Sequence, residues 1–262
     1  MRKLNLLLFG CFVILWMACG KEATVDEVVT MMADASGGAE ALAAVQDQVS
    51  TWDFKMIMMP PAAKEGKEAM AGEMPEVMPM KITYKRPNKL RMDVLGPEGT
   101  PVHISCFDGT SGWASQMGHV QNMTEAEIQE NESMAATWID GFIHYKELGF
   151  TLAKLPTETV DGEKYMVLQS TDKYGNVSNH YINPKTHYIE RTTGEMLNME
   201  GAKEQMTMTF KDYKMMDGIA VAGVVAQYNS AGEMIWEATL KECKNNTGVE
   251  DAVFMRPEIT AK

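Results

Sequence analysis

Ser50-Thr51-Trp52-Asp53-Phe54-Lys55-Met56-Ile57-Met58 is the stretch that decides the fold. Trp52, Phe54, Met56 and Met58 share one side of an extended chain while Asp53 and Lys55 share the other, so this is a strand with a dry face and a wet face. The same period of two recurs at 81–85, 90–94, 102–107, 164–170, 180–182, 188–191, 205–213, 219–228 and 233–243. Turn chemistry separates these runs: Arg86-Pro87-Asn88, Gly96-Pro97-Glu98-Gly99, Asp161-Gly162, Tyr174-Gly175-Asn176, Asn183-Pro184-Lys185-Thr186, Asp217-Gly218 and Ala231-Gly232. Many short strands joined by short turns imply an antiparallel meander.

Three segments are helical. Val25, Val28, Val29 and Met32 have the spacing of one helix face, with Asp26 and Glu27 in the first turn where the helix dipole favours acids. Gly37 and Gly38 end that helix, and 39–45 predicts a second with Leu42 inward. Thr124 and Glu127 have capping-box spacing, after which Ile128, Met134, Ala135 and Trp138 line a face and Ile139, Phe142 and Tyr145 continue the apolar content past Gly141. A helix in the middle of a meander covers one face of the sheet. The segment 60–79, rich in Pro, Gly, Ala, Glu, Lys and Met, has no clean period and is expected to be a long loop.

Residues 4–18 are an apolar run preceded by Arg2 and Lys3 and followed by Cys19, Gly20 and Lys21. A charged start and an apolar core of about 7–15 residues describe an export signal, whereas a spanning helix needs roughly 20 apolar residues. Residues 1–18 are therefore expected to be a signal peptide and 19–262 a single domain. Loss of Arg2 and Lys3 moves the formal charge from −12 to −14. So acidic a chain lacks the clustered Lys and Arg with which proteins bind nucleic acid or anionic headgroups.

Ala18-Cys19 resembles the lipobox of bacterial lipoproteins, in which the cysteine thiol receives a diacylglycerol and becomes the mature N-terminus. Trp16 stands where that pattern has Leu, with Leu15 one residue further back. Cys11, after Leu8-Phe9-Gly10, fits the local pattern too but would leave a very short apolar core; ordinary cleavage and an uncut anchor are the other readings. Several acyl chains, palmitate among them, on Cys19 would hold the protein stably on a membrane, each buried methylene contributing about 0.8 kcal/mol. Gly20-Lys21-Glu22 lacks the aspartate that in some bacteria retains lipoproteins at the inner membrane, so the expected location is the outer membrane, facing the periplasm.

The order of several passages resembles the outer-membrane lipoprotein-sorting-like family, in the superfamily of Lol-type carriers and receptors. They are 31–49 with Gly37-Gly38, Tyr84-Lys85-Arg86-Pro87-Asn88-Lys89-Leu90-Arg91, Phe107-Asp108-Gly109-Thr110-Ser111-Gly112-Trp113, Val160-Asp161-Gly162-Glu163-Lys164-Tyr165, Tyr181-Ile182-Asn183-Pro184-Lys185-Thr186, Asp212-Tyr213-Lys214-Met215-Met216-Asp217-Gly218 and Asp251-Ala252-Val253-Phe254-Met255-Arg256-Pro257. The resemblance implies a mainly β (α+β) fold: an incomplete antiparallel β-barrel, or half-barrel, with helices covering its concave face. It also implies a hollow that binds lipid acyl chains or a lipoprotein.

In this sequence that hollow would be lined by Trp52, Phe54, Met56, Met58, Ile82, Tyr84, Met206, Met208, Phe210, Met234 and Trp236. The flexible thioether of methionine suits acyl chains of differing shape. The competing reading is that these residues are simply a packed core. A second functional reading starts from the 24 methionines, of which Met56, Met58, Met59, Met70, Met74, Met78 and Met80 lie in one stretch. Thioethers are soft ligands that select Cu(I), although the His and Cys that usually accompany them are missing here.

The five histidines, His103, His119, His144, His180 and His187, show no metal-ligand spacing, and Ser111 lacks the nucleophile-elbow pattern. Glu125, Glu127, Glu130 and Glu132 are expected to form a solvated helix face. No catalytic residue, cofactor or metal site is predicted, and oligomeric state is left open. Cys106 alternates with Val102 and Ile104 on an apolar face and Cys243 with Glu237, Thr239 and Lys241 on a polar one, so two unpaired thiols are expected rather than a bridge.

Overall fold

The computed structural model describes residues 23–58, 76–198 and 200–257. Six strands come first: β1 Asp47–Met56, β2 Met78–Lys85, β3 Lys89–Leu95, β4 Pro101–Phe107, β5 Gly112–Gln116 and β6 His119–Asn122. A second meander follows, of β7 Thr151–Val160, β8 Glu163–Thr171, β9 Val177–Ile182, β10 Ile189–Leu197 and β11 Lys203–Lys211. After a small hairpin, β12 Lys214–Met216 and β13 Ile219–Val221, the chain closes with β14 Val224–Tyr228 and β15 Met234–Asn245. The large sheet has 13 strands in the order β6-β5-β4-β3-β2-β1-β15-β14-β11-β10-β9-β8-β7, every pair antiparallel. Among the described residues it is not closed: β6 and β7 are its two edges.

Helices α1 Val25–Ala35 and α2 Ala39–Ala44 precede the sheet, and α3 Glu125–Ala136 joins its two edges. That connection forces curvature. Laid flat, thirteen strands would separate β6 from β7 by roughly 58 Å at ~4.8 Å per strand, while α3 is about 18 Å long at 1.5 Å per residue. Residues 137–149 add little reach, since they fold into successive tight turns such as Gly141 N to Thr137 O and Phe150 N to Tyr145 O. The sheet therefore curls and α3 crosses its concave side, as the sequence reading expects. Both capping boxes form: Thr24 with Glu27, and Thr124 with Glu127.

Two apolar clusters lie beneath the helices. One joins Ala33 and Leu42 to Trp52, Phe54, Met78, Met80, Ile82, Tyr84, Leu90, Phe107, Ala238 and Leu240; the other joins Val28, Val29 and Met32 to Phe142, Leu168 and Ile182. A third, on the opposite face, packs Phe254 against Cys106 and Trp113.

Several boundaries differ from the sequence reading. β2 starts at Met78, inside the expected loop, and 59–75 lie outside the described residues. The run 219–228 is two strands, because at Gly223 the backbone passes so close to Asp212 that a Cβ would sit 2.4 Å from its carbonyl oxygen. β5, β6, β7 and β12 fall outside the alternating runs read from the sequence. Of the two cysteines, Cys106 lies on an apolar face with Ile104 as expected, whereas Cys243 leaves its expected polar face. A bulge at Lys241 lets Trp52 pair with Leu240 while Ser50 pairs with Cys243, which returns Cys243 to the concave core. Cys106 lies on the outer side under Phe254, and both thiols are free.

Candidate functional site

Strand register assembles the expected lining residues on one surface. On β1 Trp52, Phe54 and Met56 stand opposite Leu240, Ala238 and Trp236 of β15, and Ile82 and Tyr84 of β2 continue the row. In the other direction Ala238 pairs with Val225 and Trp236 with Gln227; Val225 and Gln227 pair with Phe210 and Met208, which with Met206 reach Thr192 and Gly194 of β10. This is the concave face. Two of the expected residues leave it: a bulge at Ile235 pairs Met234 with Tyr228, in the opposite phase to Gln227, and Met58 lies beyond the end of β1 and is exposed.

The helices seal this face unevenly. Trp52, Phe54, Ile82, Tyr84 and Met206 are buried, whereas Met56, Met208, Phe210 and Trp236 are each only half-buried. The Phe54 and Trp236 rings meet at 5.9 Å on the boundary between the two zones. The concave side thus has a packed half over β1–β3 and a half-buried apolar row over β15, β14 and β11.

α3 crosses the concave side next to this row. Ser133 Oγ donates to Asp172 Oδ2 (2.8 Å) and Lys173 Nζ to Glu132 (2.7 Å), tying the helix to the turn after β8; at its other side Trp138 Nε1 donates to Gln48 on β1 (3.1 Å). Glu130, expected on a solvated face, instead turns inward and accepts from the backbone N–H of Leu197 at the end of β10 (3.2 Å). Burial pushes its carboxyl above the usual range, reinforced by Glu127 and opposed by the Leu197 bond and Lys203.

The segment after α3 is locked by one arginine. Arg86 makes a bidentate pair with Asp140 (2.5 and 2.7 Å), and its remaining donors reach the carbonyls of Leu42 (2.8 Å) and Val45 (2.5 Å) at the end of α2. The Asp140 bond holds the guanidinium further up than usual against the opposing effect of burial. Deeper still, His180 bonds Ser170 (2.8 Å) and Thr192 (3.0 Å) through its two ring nitrogens, with Phe142 4.9 Å above it. Burial lowers its pKa to about 4. The serine–histidine pair has a hydroxyl where a carboxylate would be needed to stabilise imidazolium, so it works as a packed neutral element.

On the convex side the C-terminal segment forms a strap. Phe254 O accepts from Trp113 Nε1 (3.1 Å) and Cys106 Sγ (3.4 Å), Val253 O from Arg91 (2.6 Å), and Asp251 pairs with Lys85 and Lys89. Beside it a cleft of about 360 Å³ is lined by Asp108, Ser111, Trp113, Met123 and Arg256 among others. Asp108 there accepts from the N–H and hydroxyl groups of Thr110 and Ser111, which is turn chemistry.

Of the methionine stretch, Met78 and Met80 are core residues, and Met59, Met70 and Met74 lie outside the described residues, as does Cys19. Among the described residues no group of three His, Cys, Asp or Glu side chains converges to hold a metal ion, and no helix is long and apolar enough to cross a membrane.

No family model and no curated protein matches the chain. Solved structures do. A LolA superfamily protein from Nitrosomonas europaea superposes with a TM-score of 0.56 at 12% identity, covering 89% of this chain and 99% of its own. A DUF1329 family protein from Desulfovibrio piger gives 0.55 at 12%, covering 89% and 98%. A putative outer membrane lipoprotein-sorting protein domain from Vibrio parahaemolyticus gives 0.52 at 14%, covering 87% and 95%. At these identities the likeness is one of fold: an open, curved antiparallel sheet with helices on its concave side.

Proposed function

We propose that this LolA-like chain is a non-enzymatic carrier or receptor of the bacterial envelope, tethered to a membrane through lipidated Cys19, that binds acyl chains or a lipidated protein on its concave face. The observation that carries the reading is the row Met56, Trp236, Phe210 and Met208, apolar and continuous with the core yet only half-covered. A packed core would seal such residues, whereas a site for a hydrocarbon chain leaves them partly open and lined by adaptable side chains. α3 and the Arg86–Asp140 clasp supply the cover, and the lipoprotein-sorting name attached to a structural neighbour is in keeping with such a role.

Export and lipidation rest on residues 1–19 of the sequence, and outer-membrane delivery on Gly20-Lys21-Glu22. Native mass spectrometry of the C19S protein, followed by solvent extraction, tests the binding. Co-purified phospholipid or fatty acid, or uptake of oleate on incubation, is the expected result; a clean apo mass that takes up no lipid would count against the reading.

A further inference from the structure

The concave row is rich in thioethers of unequal exposure. Met206, Met78 and Met80 are buried, while Met56, Met208 and Met196, the last on β10, are half-buried. Register places Met196 in phase with Gly194 and Thr192, on the same face as Met206 and Met208. Met196 also has a polar partner: Gln227 Nε2 donates to its sulfur at 3.7 Å, while Gln227 Oε1 accepts from Trp236 Nε1 at 2.6 Å. Indole, amide and thioether form one chain from β15 through β14 to β10 at the end of the row.

We propose that Met196 is a reversible oxidation switch for this row, an inference that rests on the acyl-binding reading. A peroxide is the oxidant. The sulfur lone pair attacks one peroxide oxygen, the S–O bond forms as the O–O bond breaks, and the proton on the transferred oxygen passes to the departing hydroxide, which leaves as water. Sulfur is oxidised by two electrons and the peroxide is reduced by two.

The product suits its surroundings better than the thioether does. A sulfoxide oxygen is a far stronger acceptor than a thioether, and the Gln227 amide already donates to the sulfur. The same oxygen places a strong dipole against the Gln227 amide that holds Trp236, at the end of the row that would hold hydrocarbon, so the oxidised face fits an acyl chain less well. A methionine sulfoxide reductase with a thiol reductant restores the thioether. Exposed Met58, Met117, Met215 and Met255 also react with peroxide; they sit past the end of β1, in the β5–β6 turn, on the β12–β13 hairpin and at the end of the C-terminal strap.

The test uses M58L/M117L/M215L/M255L protein, hydrogen peroxide, peptide mass spectrometry and titration with a fluorescent fatty acid, each protein being compared with its own untreated form. Met196 is expected to gain one oxygen before Met206, Met78 and Met80, with affinity for the probe falling about tenfold, equivalent to ~1.4 kcal/mol, and returning after reductase treatment. The same treatment of protein that also carries Met196→Leu should leave its affinity in place. Stoichiometric oxidation of Met196 without loss of affinity, or an equal loss in the M196L protein, would overturn the switch and leave the acyl-binding reading standing. An untreated protein that binds no probe would remove that reading and the switch with it.

Discussion

Replacing Asp140 with asparagine tests how the cover of the concave face is held. The Asp140 side chain is 12% exposed and that of Arg86 23%, so the pair is largely withdrawn from water. Asparagine keeps the shape but removes the countercharge, leaving a guanidinium buried against the carbonyls of Leu42 and Val45. Removing one partner of a buried pair costs about 3–5 kcal/mol. Here the two carbonyl bonds survive and the oxygen of the introduced amide can accept one more, so a loss of about 2–3 kcal/mol is expected. Urea denaturation should lower the midpoint by roughly 1 M for a chain whose m-value is ~2–3 kcal/mol/M. Native-state hydrogen exchange should quicken in 137–149 before it does in β1 or β2. Replacing both partners, R86M/D140L, should recover most of the loss, because no unpaired charge remains. A D140N protein within ~0.5 kcal/mol of the parent, the range of ordinary surface changes, would refute the assignment of Arg86–Asp140 as the clasp.

Neutral His180 makes stability depend on pH. Its folded pKa of about 4 lies below its ordinary 6.5, so the unfolded chain binds the extra proton: the stabilisation is present above pH ~6.5, falls as pH drops toward 4, and amounts to about 3 kcal/mol. Urea midpoints across this range should fall by less in His180→Gln than in the parent. Phe254 is 1% exposed under Trp113 and Cys106, and Phe254→Ala should cost about 3 kcal/mol and release the strap to limited proteolysis. Burial pushes the thiols of Cys106 and Cys243 up to about 12 and about 11; at pH 8 neither should react with a thiol reagent until the protein unfolds, and fast reaction of either in the native state would contradict its placement.

What the sequence disclosed follows from what repeats locally. The period of Trp52, Phe54 and Met56 needs only the pleat of a strand, and Thr124 with Glu127 needs only one helical turn, so both were legible. Met234 and Cys243 were assigned to the wrong faces because a single extra residue, Ile235 in one case and Lys241 in the other, inverts the phase, and nothing in either residue's type marks a bulge. β7 was missed because it is an edge strand, mostly exposed, with Pro156 inside it and little alternation to detect. The Arg86–Asp140 and Ser170–His180–Thr192 contacts join segments that only the sheet's curvature and long-range register bring together. Glu130 is the instructive case: its neighbours are charged, and only the docking of α3 onto β10 buries it.

Photo-crosslinking with a diazirine-bearing fatty acid asks whether hydrocarbon binds at the half-covered row proposed for it. Labelled peptides should map to the surroundings of Met56, Met208, Phe210 and Trp236, and labelling should be suppressed by excess oleate. Labelling confined to the cleft beside Trp113, or none that oleate displaces, would rule this row out as the acyl site.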